Sequence, residues 1–284
     1  MNSPSNENQR EAQHPFGAHA PGFLMRLILG RTRIAGESWL ERRLAFFLRG
    51  IGVRLLSGRP LDVETYGARM RLLPFNNVSE KRILFMPQYF DRPEREWLAK
   101  SLPDDFVFID IGANIGGYSL FVASLPGKRG RVLAIEPQPD IFQRLIYNIS
   151  QNPGALVKAM ACAVADEDGE ITLFIDSQNK GETSVRIVKM EGSAGSIRVP
   201  AKTLASIAED EGYSKIDAMK LDVEGAEDLI LEPFFRTAPQ ALWPRLIVME
   251  HIHHRWTVDL PELLDKLGYQ QVLRTHNNAV WERQ

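Results

Sequence analysis

Residues 106–119, FVFIDIGANIGGYS, constrain the fold more than any other stretch of the chain. Phe106 to Ile111 is a short apolar run of aromatic and β-branched residues, the composition of a buried strand. The run carries an acid near its end, Asp110, and breaks into a turn holding Gly112, Gly116 and Gly117. Apolar residues then resume at helical spacing through Tyr118, Leu120, Val122 and Leu125. A strand, a tight turn and a helix start form a nucleotide-type corner. Glycines there let backbone approach a ligand, and the amides of the first helical turn point at it.

Three readings of this corner compete. The dinucleotide fingerprint G-x-G-x-x-G needs a glycine two residues after Gly112, where this chain has Asn114, so a nicotinamide-dependent oxidoreductase is disfavoured. An acid two residues before the first glycine, followed by G-x-N-x-G, suits a cofactor with a cationic end. S-adenosylmethionine is one, with an ammonium beside its sulfonium, and Asp110 would offset that charge directly or through the loop it orders. The bland reading is a strand-turn-helix whose glycines serve sterics alone.

The rest of the chain bounds the class. A length of 284 residues holds one large α/β domain plus an extension. A formal charge of −2 gives no electrostatic case for nucleic acid. Cys162 is the only cysteine, which excludes an internal disulfide and a multi-cysteine zinc site and fits a reducing, cytoplasmic setting.

The first twenty residues are polar and read as a disordered tail without the apolar run of a signal peptide. Phe23 to Leu29 and Trp39 to Leu48 are helical apolar patterns, both short of the ~18 residues a membrane span needs. Arg26, Arg31, Arg33, Arg42, Arg43 and Arg49 accompany them. That pairing leaves two options open: an interfacial amphipathic helix giving peripheral membrane contact, or a helix packed on the main domain or a homodimer partner.

Residues 60–90 read as short strands and loops, and Arg92 to Leu102 as a helix. Beyond the glycine corner strands and helices alternate. Strands are expected at Arg131–Glu136, Leu156–Val164, Ile216–Asp222 and Arg245–Glu250. Helices are expected at Asp140–Ile149, Thr203–Asp210, Ala226–Phe235 and Leu260–Leu267, with a closing strand pair at Gln271–Arg274 and Ala279–Glu282. Between Gly169 and Pro200 the rhythm changes to short β runs, an inserted antiparallel hairpin whose Lys180, Ser184 and Arg186 would reach over the cleft or form a solvated face. The whole is a doubly wound α/β sheet with an antiparallel finish.

Ligands in such sheets bind beyond the carboxyl ends of the strands. Glu136 closes the second strand about 20 residues beyond the glycine loop, the distance of a ribose-binding acid, and Pro137 would fix the turn beside adenine. Cys162, Ala163 and Val164 fall at the third strand end, where small apolar groups could flank adenine or simply fill a buried strand.

These stretches together resemble the FkbM family of S-adenosylmethionine-dependent methyltransferases. The matching pieces are DIGANIGGYS (Asp110–Ser119), AIEP (Ala134–Pro137), AVADEDGEITLF (Ala163–Phe174), GETS (Gly181–Ser184) and KLDVEGAE (Lys220–Glu227), in order over residues 105–250. The resemblance implies a Rossmann-like class I methyltransferase fold, seven strands with the last antiparallel, and O-methylation with S-adenosylmethionine as cofactor. Asp110, Gly112, Asn114, Gly116, Glu136, Pro137 and Ala163 are then the expected cofactor contacts. The expected organisation is a tail at 1–20, an N-terminal extension at 21–103 and a methyltransferase domain at 104–284.

Methyl transfer to oxygen needs an in-line approach and gains from a base as the hydroxyl proton departs. Asp222 and Glu224, at the fourth strand end, lie two apart and would share one side of an extended segment; Glu224 could equally cap the next helix. His251 and His253, in VMEHIHH at the fifth strand end, are alternative bases, and Glu250 with these histidines could hold a divalent metal, which the family reading does not require. The chain lacks the N/D-P-P-Y/F motif of amino-methylating DNA enzymes, and Cys162 follows Ala161 rather than the proline usual beside a cytosine-C5 nucleophile. The expected acceptor is therefore a carbohydrate hydroxyl or another small-molecule alcohol. The alternative is a catalytically silent S-adenosylmethionine-binding protein acting through its N-terminal extension.

Overall fold

A computed structural model describes residues 14–75, 77–176, 183–184, 193–251 and 255–284. The sheet that positions everything else has seven strands. Its first is β3 (Val107–Ile111), buried along its whole length as a central parallel strand requires. β4 (Arg131–Ile135) and β5 (Val157–Met160) lie parallel on one side of β3, and β10 (Ala218–Leu221) and β11 (Leu246–Glu250) on the other. β12 (Tyr269–Arg274) and β13 (Asn278–Arg283) close the far edge, with β13 antiparallel to both β11 and β12. The order is β12-β13-β11-β10-β3-β4-β5, so the chain reverses between β3 and β10.

Side chains alternate across this sheet. Phe108, Val132, Ala218 and Val248 point into one core, and Ile109, Leu133, Met219 and Ile247 into the other. The second core is covered by α7 (Leu204–Asp210), α8 (Glu227–Thr237) and α9 (Leu260–Lys266). The first is covered by α5 (Gly117–Ala123) and α6 (Pro139–Ser150), together with the segment preceding the sheet. That segment contains α1 (Phe23–Arg33), α2 (Trp39–Leu56), a hairpin of β1 (Leu61–Thr65) and β2 (Ala68–Leu72), α3 (Val78–Phe85) and α4 (Arg92–Ser101). Met70, Leu72, Ile83, Phe85 and Leu98 are fully buried in one cluster with Phe106 and Phe108, so the extension and the sheet share a core. Burial of that many large side chains, each worth roughly 1.5–3 kcal/mol, makes the extension structurally inseparable from β3.

Two expectations change here. Residues 60–90 are not only strands and loops, because Val78–Phe85 is helical, started by Asn77, whose side chain accepts from the Glu80 amide. The run Leu156–Val164 is not one strand: β5 ends at Met160, and β6 (Ala163–Val164) joins a second, four-stranded sheet through β9 (Ser193–Lys202). That sheet contains the inserted hairpin, β7 (Gly169–Asp176) antiparallel to β9, with β8 (Thr183–Ser184) beside β7. Lys180 and Arg186 lie outside the described residues.

Residues 1–13 of the expected tail also lie outside the described residues, whereas 14–20 are docked. A buried pair, Arg71 and Asp62 at 2.7 Å, holds them: Asp62 accepts from the amides of Gly17 and His19, and Arg71 donates to the carbonyls of His14 and Pro15. Both charges are thus paired and hydrogen-bonded, the condition for keeping them inside.

Candidate active site

The carboxyl ends of β3, β4, β10 and β11 open into one cleft of about 330 Å³. Its floor is the glycine turn. Gly112 has φ +75°, and a Cβ there would lie 2.1 Å from the Asp222 carbonyl oxygen, so only glycine lets β3 and β10 end this close together. Asn114 also adopts a left-handed conformation, φ +51°, which asparagine tolerates better than most residues. Its side-chain oxygen accepts from Asn77 Nδ2 at 2.7 Å, so the residue that breaks the dinucleotide fingerprint ties the turn to α3.

The turn's amides are largely consumed internally. Gly112 and Ala113 donate to the Ile135 carbonyl, Gly116 to Ala113, and Asn114 to Glu136 Oε2 at 2.9 Å. These bonds hold β3 and β4 together. Gly116, φ +92°, lets the chain enter α5 against Leu145 and does not line the cleft.

Glu136 does line it, and its other oxygen accepts from the Gln138 amide at 2.9 Å. Burial pushes its carboxyl up to about 7, against the pull of the two amides. Each oxygen retains a lone pair for a further donor. Pro137, Cys162, Ala163, Val164 and Leu173 form an apolar pocket beside it.

Asp110 sits below the turn, with one oxygen accepting from Ser119 Oγ at 2.6 Å and the other buried without a partner. Burial raises its pKa, and Lys220 opposes the rise. Lys220 is itself buried, 2.7 Å from Asp222 Oδ2 and over the Tyr118 ring. Burial disfavours its charge, but Asp222 and Asp110 more than offset that and raise the ammonium pKa above its ordinary value.

At the opposite end from Glu136, Asp222, Glu224 and Glu250 line the cleft with carboxylate oxygens all within 4.8 Å of one another, the one such group of potential metal ligands among the described residues. They do not meet as expected. β10 stops at Leu221, and Glu224 has φ +56°, so a turn rather than strand alternation brings it beside Asp222. Nor does Glu224 occupy the cap of α8: that position is Ala226, without a side-chain cap, and Glu227 takes the Val223 and Gly225 amides. One oxygen of Glu250 is buried without a hydrogen-bond partner among the described residues, and burial followed by repulsion from Asp222 and Glu224 lifts its carboxyl well above the usual range.

His251 does not line the cleft. Its backbone donates to Asn277 and its Nε2 meets the Thr275 carbonyl at 3.1 Å, so the turn between β12 and β13 has captured it. His253 lies outside the described residues. The extension supplies cleft residues that sequence reasoning missed: Asn77, Arg82, Phe90 and Asp91. Asp91 accepts from the Tyr118 hydroxyl at 3.1 Å, and burial raises its pKa. Only the Asn77-x-x-Glu80 helix start was visible beforehand as a signal for any of them.

The strand order with its antiparallel β13, and a glycine turn flanked by strand-end acids, define the class I methyltransferase fold. The chain belongs to the family described as the methyltransferase FkbM domain, whose match covers residues 110–271. Methyltransferase sdnD of Sordaria araneosa is 30% identical over 160 residues, 46% of this chain and 61% of that protein. The 31-O-demethyl-FK506 methyltransferase FkbM of Streptomyces tacrolimicus is 27% identical over 197 residues, 60% of this chain and 73% of that one. The hexuronic acid methyltransferase AglP of Haloferax volcanii is 27% identical over 173 residues, 60% of this chain and 66% of that one. The chain spans 61% and 57% of the length of the first two curated relatives it matches. Among solved structures, the human methyltransferase 10 domain containing protein superposes with a TM-score of 0.47 at 14% identity, over 85% of this chain and 96% of that one. The fold rests on the strand order.

Proposed function

We propose that this chain transfers a methyl group from S-adenosylmethionine to a hydroxyl oxygen of a carbohydrate or other small-molecule alcohol. The observation that carries the proposal is the polarity of the cleft: an apolar pocket at Glu136, and at the other end three carboxylates with an unsatisfied buried oxygen on Glu250. A ligand with an aromatic base, a ribose and a cationic end matches that sequence of surfaces. Pro137, Ala163 and Val164 would hold the base, Glu136 the ribose hydroxyls, and the acidic end together with the Asp110 side of the turn the ammonium. When bound, the cofactor supplies an activated methyl group on a sulfonium.

The chain's own residues then have separate tasks. Lys220 engages Asp222 Oδ2 at 2.7 Å, which commits that carboxylate to an ion pair. Glu250, with its raised pKa, holds a proton near neutrality and serves poorly as a base. Glu224 is left as the group that takes the hydroxyl proton while the acceptor is aligned. The relatives named for a hexuronic acid and for a 31-O position support an oxygen acceptor and a sugar among the candidates.

The test is conversion of S-adenosylmethionine to S-adenosylhomocysteine over a panel of sugars, uronic acids and hydroxylated small molecules, with the methylated product identified by mass. Cofactor binding with no transfer to any acceptor would favour the silent binding protein, and absence of cofactor binding would overturn both readings.

A further inference from the structure

The outer face of α1 and α2 takes no part in the cleft and is unlike the rest of the surface. Each helix buries one side, Met25, Ile28 and Leu29 on α1 and Ala45, Gly52 and Leu56 on α2. The other side is also apolar. On α1, Phe23 is 79% exposed, with Leu24 and Leu27 beside it. On α2, Leu40, Leu44 and Phe47 recur at helical spacing, Phe47 66% exposed, and Trp39 at the helix start is equally open. A contiguous apolar face of this kind on a water-soluble surface marks an interaction site.

Its charge identifies the occupant. Residues 21–60 contain eight arginines, no lysine and only two acids, Glu37 and Glu41, whereas the chain as a whole is net negative. Arg26, Arg31, Arg42, Arg43 and Arg54 are exposed among the apolar side chains, Arg49 is half-buried, and Arg33 turns inward, donating to the Leu84 and Glu64 carbonyls. Arg43 lies 5.0 Å over the Trp39 ring and Arg49 4.5 Å over Phe46, an aromatic-cation arrangement suited to a headgroup layer. A second copy is a poor occupant, because a two-fold contact would set these arginines against their own counterparts with two glutamates per copy to answer them. No described helix is long and apolar enough to cross a bilayer.

We propose that the outer face of α1 and α2 seats the protein on an anionic lipid surface, with Trp39, Phe47 and Phe23 sunk to headgroup depth and the arginines on lipid phosphates. α1 packs on α3, whose Arg82 lines the cleft. The inference stands on the surface alone and does not depend on methyl transfer.

Flotation of the full chain tests it, with phosphatidylcholine vesicles and with phosphatidylcholine vesicles containing phosphatidylglycerol. The expected result is flotation with the anionic vesicles, weakened by salt, and little with phosphatidylcholine alone. Trp39→Glu with Phe47→Glu should abolish it without moving the unfolding temperature, since both side chains are exposed. Arg42→Ala and Arg43→Ala should each weaken partitioning about fivefold, the worth of one arginine at a charged membrane surface. Failure to float with anionic vesicles at low salt overturns the proposal, as does flotation that survives the Trp39→Glu/Phe47→Glu change. A dimer seen by light scattering, dispersed by Phe47→Glu and accompanied by no vesicle binding, would assign the face to a second copy instead.

Discussion

Lys220 and Asp222, two residues apart at the end of β10, form an ion pair of 2.7 Å in which the lysine side chain is 5% exposed and the aspartate 38%. The cation is thus inside the protein and the anion at the cleft, with Asp110 beneath. One buried ammonium serves two carboxylates, one buried and one facing the cleft.

Lys220→Met should therefore cost about 3–5 kcal/mol of stability at neutral pH, the usual consequence of leaving buried charge unpaired. Lys220 holds the Asp110 pKa down, so loss of the cation raises it further, and the penalty is largest where Asp110 would be ionised and shrinks as the pH falls and it protonates. Urea unfolding at pH 8 and pH 5 measures this; an equal loss at both would mean that packing alone is at stake.

Glu136→Ala should weaken binding of S-adenosylhomocysteine by about 1.5–3 kcal/mol, the worth of hydrogen bonds to a charged group. Isothermal titration reads it, with NAD expected to be silent. Because burial pushes the Glu136 carboxyl up to about 7, wild-type affinity should drop about tenfold from pH 8 to pH 6 as the carboxylate protonates, and Glu136→Gln should flatten that dependence. The same raised pKa has a stability consequence in the free protein. This carboxyl's contribution is fully present below its unfolded pKa and is lost as pH rises through about 7.

Glu224→Gln should lower turnover by ~10²-fold or more, a loss far larger than any change in cofactor affinity, if it is the base. His251→Ala should leave turnover close to wild type, since its ring meets the Thr275 carbonyl rather than the cleft. A chelator that abolishes activity, with one divalent ion restoring it, would reassign Asp222, Glu224 and Glu250 as metal ligands.

Gly112→Ala should destabilise by about 2–4 kcal/mol, because strain at positive φ adds to a collision with backbone that cannot swing away. Thermal unfolding with and without S-adenosylhomocysteine would show the loss in both states. An unchanged melting temperature would mean that β3 and β10 can separate at no cost.

The strands, the glycine turn and Glu136 were legible because each obeys a local rule: apolar runs, positive-φ glycines, an acid at a fixed distance. Glu224 was found for a mistaken reason. Strand alternation does not reach Glu224, three residues past Leu221, and Gly225 signals that the chain has already turned; the turn brings the same carboxylate to the same cleft. His251 follows a strand that ends at the cleft, yet an antiparallel neighbour's turn takes its ring, a long-range event with no local trace. Asp91 and Phe90 reach the cleft only through the packing of the extension, and α3 was passed over although Asn77 and Glu80 mark its start.

The hydrogen bond between Asn77 and Asn114 joins a residue that precedes the family-matched stretch to one inside it. One wall of the cleft, from Asn77 to Asp91, is built by chain that the family match does not reach. Excision at Asp110 would remove Phe106 and Phe108 with most of β3 and unroof the glycine turn, so the matched stretch is not a portable module. Substitutions on that wall away from Asn77, by contrast, would reshape the mouth of the cleft while leaving β3, β4 and Glu136 in place.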